Sequence, residues 1–117
     1  MMESLANRKC KPCEGGTEPL PASAASALLG ELQGWELIEG RAIRKIVKCK
    51  DFLEAVSLMQ RIAPIAEAED HHPDLHLTNY RRLTIELSTH AIGGLSENDF
   101  ILAAKIDQLL LLRQAQH

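Results

Sequence analysis

The chain has 117 residues, 45% of them hydrophobic and 25% charged. That is the size and make-up of one soluble globular domain, with no room for separate cofactor and substrate domains. Its 13 basic and 16 acidic residues give a net charge of -3, and Trp35, Phe52, Tyr80 and Phe100 are its aromatic residues, so the basic field and stacking platform that nucleic acid requires are both missing.

The N-terminal stretch MMESLANRKCKPC holds no apolar secretory signal, and the leucine run Leu109–Leu112 is far too short to span a bilayer; the expectation is a soluble, cytoplasmic protein with no membrane partner. Residues 1–19 are polar, without an apolar period, and carry Gly15 and Gly16. They read as a tail or ordered arm ahead of a single domain over 20–117. Three cysteines, an odd number, argue against a disulfide scaffold. Cys10 and Cys13 form a CxxC, but a closed zinc site needs four ligands and no second pair exists. They read as two reduced thiols on a mobile tail, against a metal shared between subunits or a redox pair. Cys49 stands alone.

From Ser23 to Leu32, Ala24, Ala27, Leu28 and Leu32 fall at helical spacing, and Gly34 closes this first helix. Trp35–Glu39 and Ala42–Cys49 are strand-like and parted by Gly40-Arg41, which suits a hairpin. Asp51 with Glu54 resembles a capping box. Phe52, Ala55, Val56, Met59, Ile62 and Ala63 then mark an amphipathic helix running towards Ala68, with a kink expected at Pro64. Glu69–Asp74 has no period. Leu83, Ile85, Leu87 and Thr89 alternate with Arg82, Thr84, Glu86, Ser88 and His90, a strand that puts Tyr80 and His90 on one polar face. Gly93-Gly94 breaks the chain, Ser96 and Asp99 form a second capping pair, and Phe100–Leu112 is a final helix. The expected fold class is α+β, a four-stranded antiparallel sheet with about three helices on one face, the fourth strand falling around Leu75–Tyr80.

His71, His72, His76 and His90 lie in the loop and the strand after it, with Glu67, Asp70 and Asp99 nearby in sequence. Imidazole titrates close to neutral pH, so this cluster suits proton transfer. Pro73 biases His72 to an extended backbone and sends His71 and His72 to opposite sides, which disfavours a shared metal. The helical i, i+4 histidine pair and the Cys/His quartet of zinc sites are both absent. The bland readings are a polar loop for His71-His72, a backbone-bonded strand-end histidine for His90, and a helix cap for Asp99. A serine hydrolase on Ser88 or Ser96 with His90 and Asp99 lacks the GxSxG elbow.

Glu67–Pro73 (EAEDHHP), Tyr80, His90 and the GLSEND ending at Asp99 resemble the signature of the pterin-4a-carbinolamine dehydratases. Gly34-Trp35, Glu39-Gly40, Lys50-Asp51-Phe52 and the Ile101–Leu109 helix extend the resemblance over about residues 20–110. The resemblance implies loss of water from a 4a-hydroxytetrahydropterin to give the quinonoid dihydropterin, in tetrahydrobiopterin recycling after an aromatic amino acid hydroxylase, with no metal or organic cofactor. It implies His71 and His90 as acid and base, with His72 binding or orienting the substrate. Asp70, Pro73, Ser88, Thr89 and Ala91 become pterin contacts, and Glu67 and Asp99 supporting acids. Three departures stand out: an additional residue between Pro73 and Tyr80, Leu75-His76 where a tryptophan is familiar, and Asn98 where an arginine is. The second reading on the same fold is a protein-binding module, a dimerisation cofactor or assembly chaperone, although this chain keeps the histidine motif. Consecutive Leu109–Leu112 point around the whole helix and cannot all face one core, so with an unpaired sheet edge they imply a homodimer or homotetramer.

Overall fold

Alternating side chains build the sheet. In the computed structural model, which describes residues 4–11 and 18–115, Leu83, Ile85 and Leu87 of β4 (Arg82–Leu87) are fully buried while Arg82 between the sheet rows is exposed. β4 pairs on one side with β2 (Ala42–Lys48), which sets Ile43 against Leu87 and Val47 against Leu83. On its other side lies β3 (Asp74–Thr78), with Leu75 against Ile85 and Leu77 against Leu83. β1 (Glu36–Ile38) completes an antiparallel sheet of order β1-β2-β4-β3. The fourth strand sits where the sequence placed it.

Three helices cover the apolar face. α1 (Ala22–Leu29) is short, and α2 (Phe52–Glu69) turns Ala55, Leu58, Ile62 and Ala66 inward at helical spacing. The third, α3 (Glu97–Ala115), buries Phe100, Ile101, Leu102, Ala103, Ile106 and Leu110. Apart from Ala66, these residues share one core with the inward side chains of β2 and β4, each large side chain contributing about 1.5–3 kcal/mol. Asp51 caps α2 by accepting from the Glu54 N–H (2.8 Å), and the helix runs on through Pro64. A polar tie joins sheet to α3: Asp107 Oδ1 accepts from both Trp35 Nε1 (3.0 Å) and Lys45 Nζ (2.8 Å).

Both hairpins use left-handed turn residues. Glu39 (φ 51°) and Gly40 (φ 71°) lie between β1 and β2, with the Arg41 N–H donating to the Ile38 carbonyl (2.9 Å), the turn whose twist matches the paired strands. Asn79 and Tyr80 (φ 53° each) are likewise left-handed between β3 and β4, where the Arg81 N–H donates to the Asn79 carbonyl (2.7 Å). Tyr80 therefore lies in a turn at one end of β4 and His90 beyond the other, so the shared polar face expected of them is not formed. Pairing explains the difference: β4 has its last ladder partner at Leu87, opposite Ile43, and the chain beyond it leaves the strand period.

Residues 4–11 correct the mobile-tail reading. Leu5, in a 3-10 turn over Leu5–Asn7, is 3% exposed within the core, Lys105 Nζ donates to the Ala6 carbonyl (2.8 Å), and Arg8 pairs with Glu97 (2.7 Å). Cys10 is half-buried, whereas Cys13 lies outside the described residues. Of the terminal leucines Leu110 is buried and Leu111 and Leu112 are exposed. Among the described residues no helix is long and apolar enough to cross a membrane.

Candidate active site

The site begins where α2 ends. Asp70 takes a left-handed conformation (φ 50°), its N–H donating to the Glu67 carbonyl (3.3 Å) and the His71 N–H to the Ala66 carbonyl (3.2 Å). This is a Schellman stop with aspartate in the place usually held by glycine. A non-glycine residue there costs roughly 1–2 kcal/mol, and strain of this kind gathers at functional positions. The stop reverses the chain so that His71 returns over the start of α3, and Pro73 then steers it into β3.

A second segment arrives from β4. Past Leu87, Thr89 bridges to Gly94, its N–H donating to the Gly94 carbonyl (2.8 Å) around a short 3-10 turn over His90–Ile92. Gly93 is left-handed at φ 68°. Gly94 carries the chain beneath Pro19, where a Cβ would stand 2.8 Å from the proline ring. The glycine pair that reads in sequence as a break is thus a tight return holding Ser88–Ala91 in place.

Asp99 joins the two segments. It is fully buried three residues after Ser96, and its Oδ2 accepts from the Ser96 N–H (2.9 Å) and the Thr89 hydroxyl (2.8 Å). Its Oδ1 lies 2.6 Å from His71 Nε2. A buried carboxyl group is tolerated only when its oxygens are satisfied, and here each is. An ionised carboxylate can only accept, so beside an ionised Asp99 the ring proton of a neutral His71 lies on Nε2 and Nδ1 carries the lone pair. The helix-cap reading of Asp99 is met through the Ser96 N–H, and the same side chain also reaches His71.

The second pair is looser. His72 Nε2 lies 3.3 Å from Glu67 Oε2, with both side chains more than half exposed, a geometry that contributes little to stability. The two histidines thus diverge, His71 inward and His72 outward. Yet both line one open cavity of about 350 Å³ together with Asp70. Ser88, Thr89, His90 and Ala91 form its other side, and its size falls in the range of small-molecule sites. His90 is exposed, and its ring has no hydrogen-bond partner among the described residues, unlike the backbone-bonded strand-end histidine of the bland reading. Of the residues singled out in sequence, Pro73, Glu67 and Asp99 flank this cavity without lining it, and His76 is carried away on the exposed face of β3 opposite Thr84. Asn98 lines the cavity; the resemblance, which sets it where an arginine is familiar, pointed there, whereas its neighbourhood, a helix start, gave no such signal. Among the described residues no three His, Cys, Asp or Glu side chains converge as a metal site.

The family model for pterin 4 alpha carbinolamine dehydratase matches residues 18–109. The chain belongs to this dehydratase family. A relative from Nitrosomonas eutropha that carries the family's name is 48% identical over 108 residues, covering 92% of this chain and 94% of its own. The mitochondrial pterin-4-alpha-carbinolamine dehydratase 2 of Arabidopsis thaliana is 43% identical over 92% of this chain, which spans 60% of that longer protein. Among solved structures, a transcriptional coactivator/pterin dehydratase from Brucella melitensis superposes with a TM-score of 0.73 at 35% identity, over 79% of this chain and 98% of its own. A pterin dehydratase-like protein described as a RuBisCO assembly factor shares the fold at a TM-score of 0.55 and 16% identity, over 66% of this chain and 89% of its own. The pterin dehydratase fold is thus the α+β architecture described above.

Proposed function

We propose that this protein removes water from a 4a-hydroxytetrahydropterin, yielding the quinonoid dihydropterin of tetrahydrobiopterin recycling, by histidine acid/base catalysis. The observation that carries the reading is the His71–Asp99 hydrogen bond at the edge of a cavity that His72 and His90 also line. Dehydration needs one group to protonate the hydroxyl leaving C4a and another to accept the proton from N5, and imidazoles are suited to both at neutral pH. The tautomer set by Asp99 supports His71 as the base: Nδ1 accepts the N5 proton, and the buried carboxyl group beside Nε2 stabilises the cation formed. His90, exposed on the opposite segment, is then the acid. Asp70, Pro73, Ser88, Thr89 and Ala91 shape the pterin subsite with His72, while Glu67 orients His72. The chemistry asks for no metal or organic cofactor.

Turnover of a chemically generated 4a-hydroxytetrahydropterin, followed by absorbance, tests this directly. His71→Ala and His90→Ala should each slow the reaction about a hundredfold or more, the usual worth of a positioned acid or base. Full activity in both variants would overturn the assignment, as would a rate that collapses with chelator and returns with zinc.

The exposed Leu111 and Leu112 support assembly into a homodimer or homotetramer, since such apolar side chains gain from a second cover. A monomer by sedimentation at micromolar concentration would refute it. A protein-binding role on the same leucines, with an unrelated partner in place of the second copy, is the alternative that this measurement separates. An aromatic amino acid hydroxylase is the reaction class that would supply the substrate.

A further inference from the structure

Two of the residues that hold the N-terminal arm, Glu69 and Asn98, are chain neighbours of the His71–Asp99 pair. Glu69, two residues ahead of His71, accepts the Cys10 N–H on Oε1 (2.8 Å) and lies with its side chain only 11% exposed. Asn98, adjacent to Asp99 and 7% exposed, grips the arm from both sides of its amide: Oδ1 accepts the Lys11 N–H (2.9 Å) and Nδ2 donates to the Lys11 carbonyl. The Asn98 backbone carbonyl also lies 3.6 Å from Cys10 Sγ. Upstream, Leu5 anchors the arm in the core.

These contacts differ in kind from ordinary surface decoration. An exposed ion pair such as Arg8–Glu97 adds little, whereas breaking the two hydrogen bonds that the buried Asn98 amide makes to Lys11 carries a larger cost. Asn98 also lines the cavity, so its side chain faces the arm while its position borders the site. Apart from the arm, the end of α2 is joined to α3 by the His71–Asp99 bond and by the Glu69–Lys105 ion pair (3.9 Å). Displacing a reacting group by about 1 Å can cost about a hundredfold in rate.

We propose that residues 4–11 act as a positioning strap for the active site, with the Asn98–Lys11 amide pair and the Glu69–Cys10 bond fixing the turn that carries His71 against the helix start that carries Asp99. Asn98 is then a positioning residue, acting through the arm and through Asp99. The kinetic consequence rests on the dehydratase reading, whereas the coupling of arm to imidazole does not.

Lys11→Pro tests this, because it removes the N–H that Asn98 accepts and alters no cavity residue; Lys11→Ala restores that N–H. Three quantities are read on the full-length protein. Arm docking is read from the alkylation rate of Cys10 by mass spectrometry, the state of His71 from its imidazole nitrogen and Nε2–H resonances, and catalysis from kcat and KM. The expected result for Lys11→Pro is Cys10 alkylation at least about tenfold faster, a displaced His71 signal, and kcat lowered about tenfold or more with KM within about twofold, as for a loss felt in the transition state. Lys11→Ala should recover all three.

Asn98→Ala removes both amide contacts and should reproduce the Lys11→Pro result; should it fail to fold, Lys11→Pro carries the test alone. Fast Cys10 alkylation with an unchanged His71 signal would overturn the proposal, and so would Cys10 protection that persists in every folded variant. If the wild-type protein fails to turn over the carbinolamine, the dehydratase reading falls, and the His71 resonances still decide the coupling.

Discussion

Replacing Asp99 by asparagine preserves shape and removes one acceptor, and the surroundings dictate how the amide must lie. Three donors converge on the carboxyl group: the Ser96 N–H and the Thr89 hydroxyl on Oδ2, and His71 Nε2 on Oδ1. The Ser96 N–H is fixed in the backbone and cannot rotate away, so the amide oxygen must stay with it and the NH2 must face His71. Nε2 can meet that donor only by giving up its own proton, which moves to Nδ1. The reversed tautomer has no lone pair on the atom assigned to accept the N5 proton. A general base set in the wrong tautomer costs about 10²–10⁴-fold in rate. The stability loss should be about 1.5–3 kcal/mol, the worth of a hydrogen bond to a charged group. Turnover by absorbance, thermal unfolding and nitrogen-15 shifts of the His71 ring together check the reasoning. An Asp99→Asn protein that retains wild-type turnover with the proton still on Nε2 would refute it.

Other consequences are equally direct. Gly94→Ala places a methyl group 2.8 Å from the Pro19 ring and should lower stability by about 1–3 kcal/mol through overpacking, read as a fall in Tm. Burial and the neighbouring Glu69 push the Cys10 thiol up from 9.0 to about 12, so the folded protein keeps this proton where the unfolded chain has lost it. The resulting stabilisation is complete below about pH 9 and is lost as pH rises towards 12; pH-dependent unfolding of wild type against Cys10→Ala measures it, with no difference between pH 8 and 11 as the contrary result. Asp107→Ala strips a shared acceptor from Trp35 and Lys45 and should cost about 1–3 kcal/mol in chemical denaturation.

Elements whose signal is local were legible in sequence. The spacing of Ala55, Ile62 and their neighbours marks α2, Asp51 marks its start, and the alternation of Leu83, Ile85 and Leu87 marks β4, because burial of one face imposes its period on the chain. The candidate site was legible through a different signal, the family resemblance of EAEDHHP and the downstream histidine. What could not be read depends on partners distant in sequence. Leu5 is a single apolar residue with no period, and only the assembled core gives it a place. Thr89 and His90 continue the alternation of β4, yet neither lies within the strand, because a strand lasts only as long as its ladder. Asn98 reads as a residue of a helix start, and its two roles, cavity wall and clasp for Lys11, come from segments far apart in sequence. The Schellman stop at Asp70 lacks the glycine that would have announced it.

That Asp99 both caps the start of α3 and hydrogen-bonds His71 has an evolutionary corollary. A side chain that supports the fold stays under selection after its chemistry has been abandoned, since most substitutions at such a buried network are purged for instability alone. In descendants or cousins of this protein that turned to binding, an aspartate at this position would therefore persist and say nothing about turnover. His90, exposed and with no hydrogen-bond partner for its ring among the described residues, has no such second tenure. If His90 is the acid proposed above, it is free to drift once catalysis is no longer selected, and this histidine, rather than the buried acid, would then tell working from retired members of the lineage.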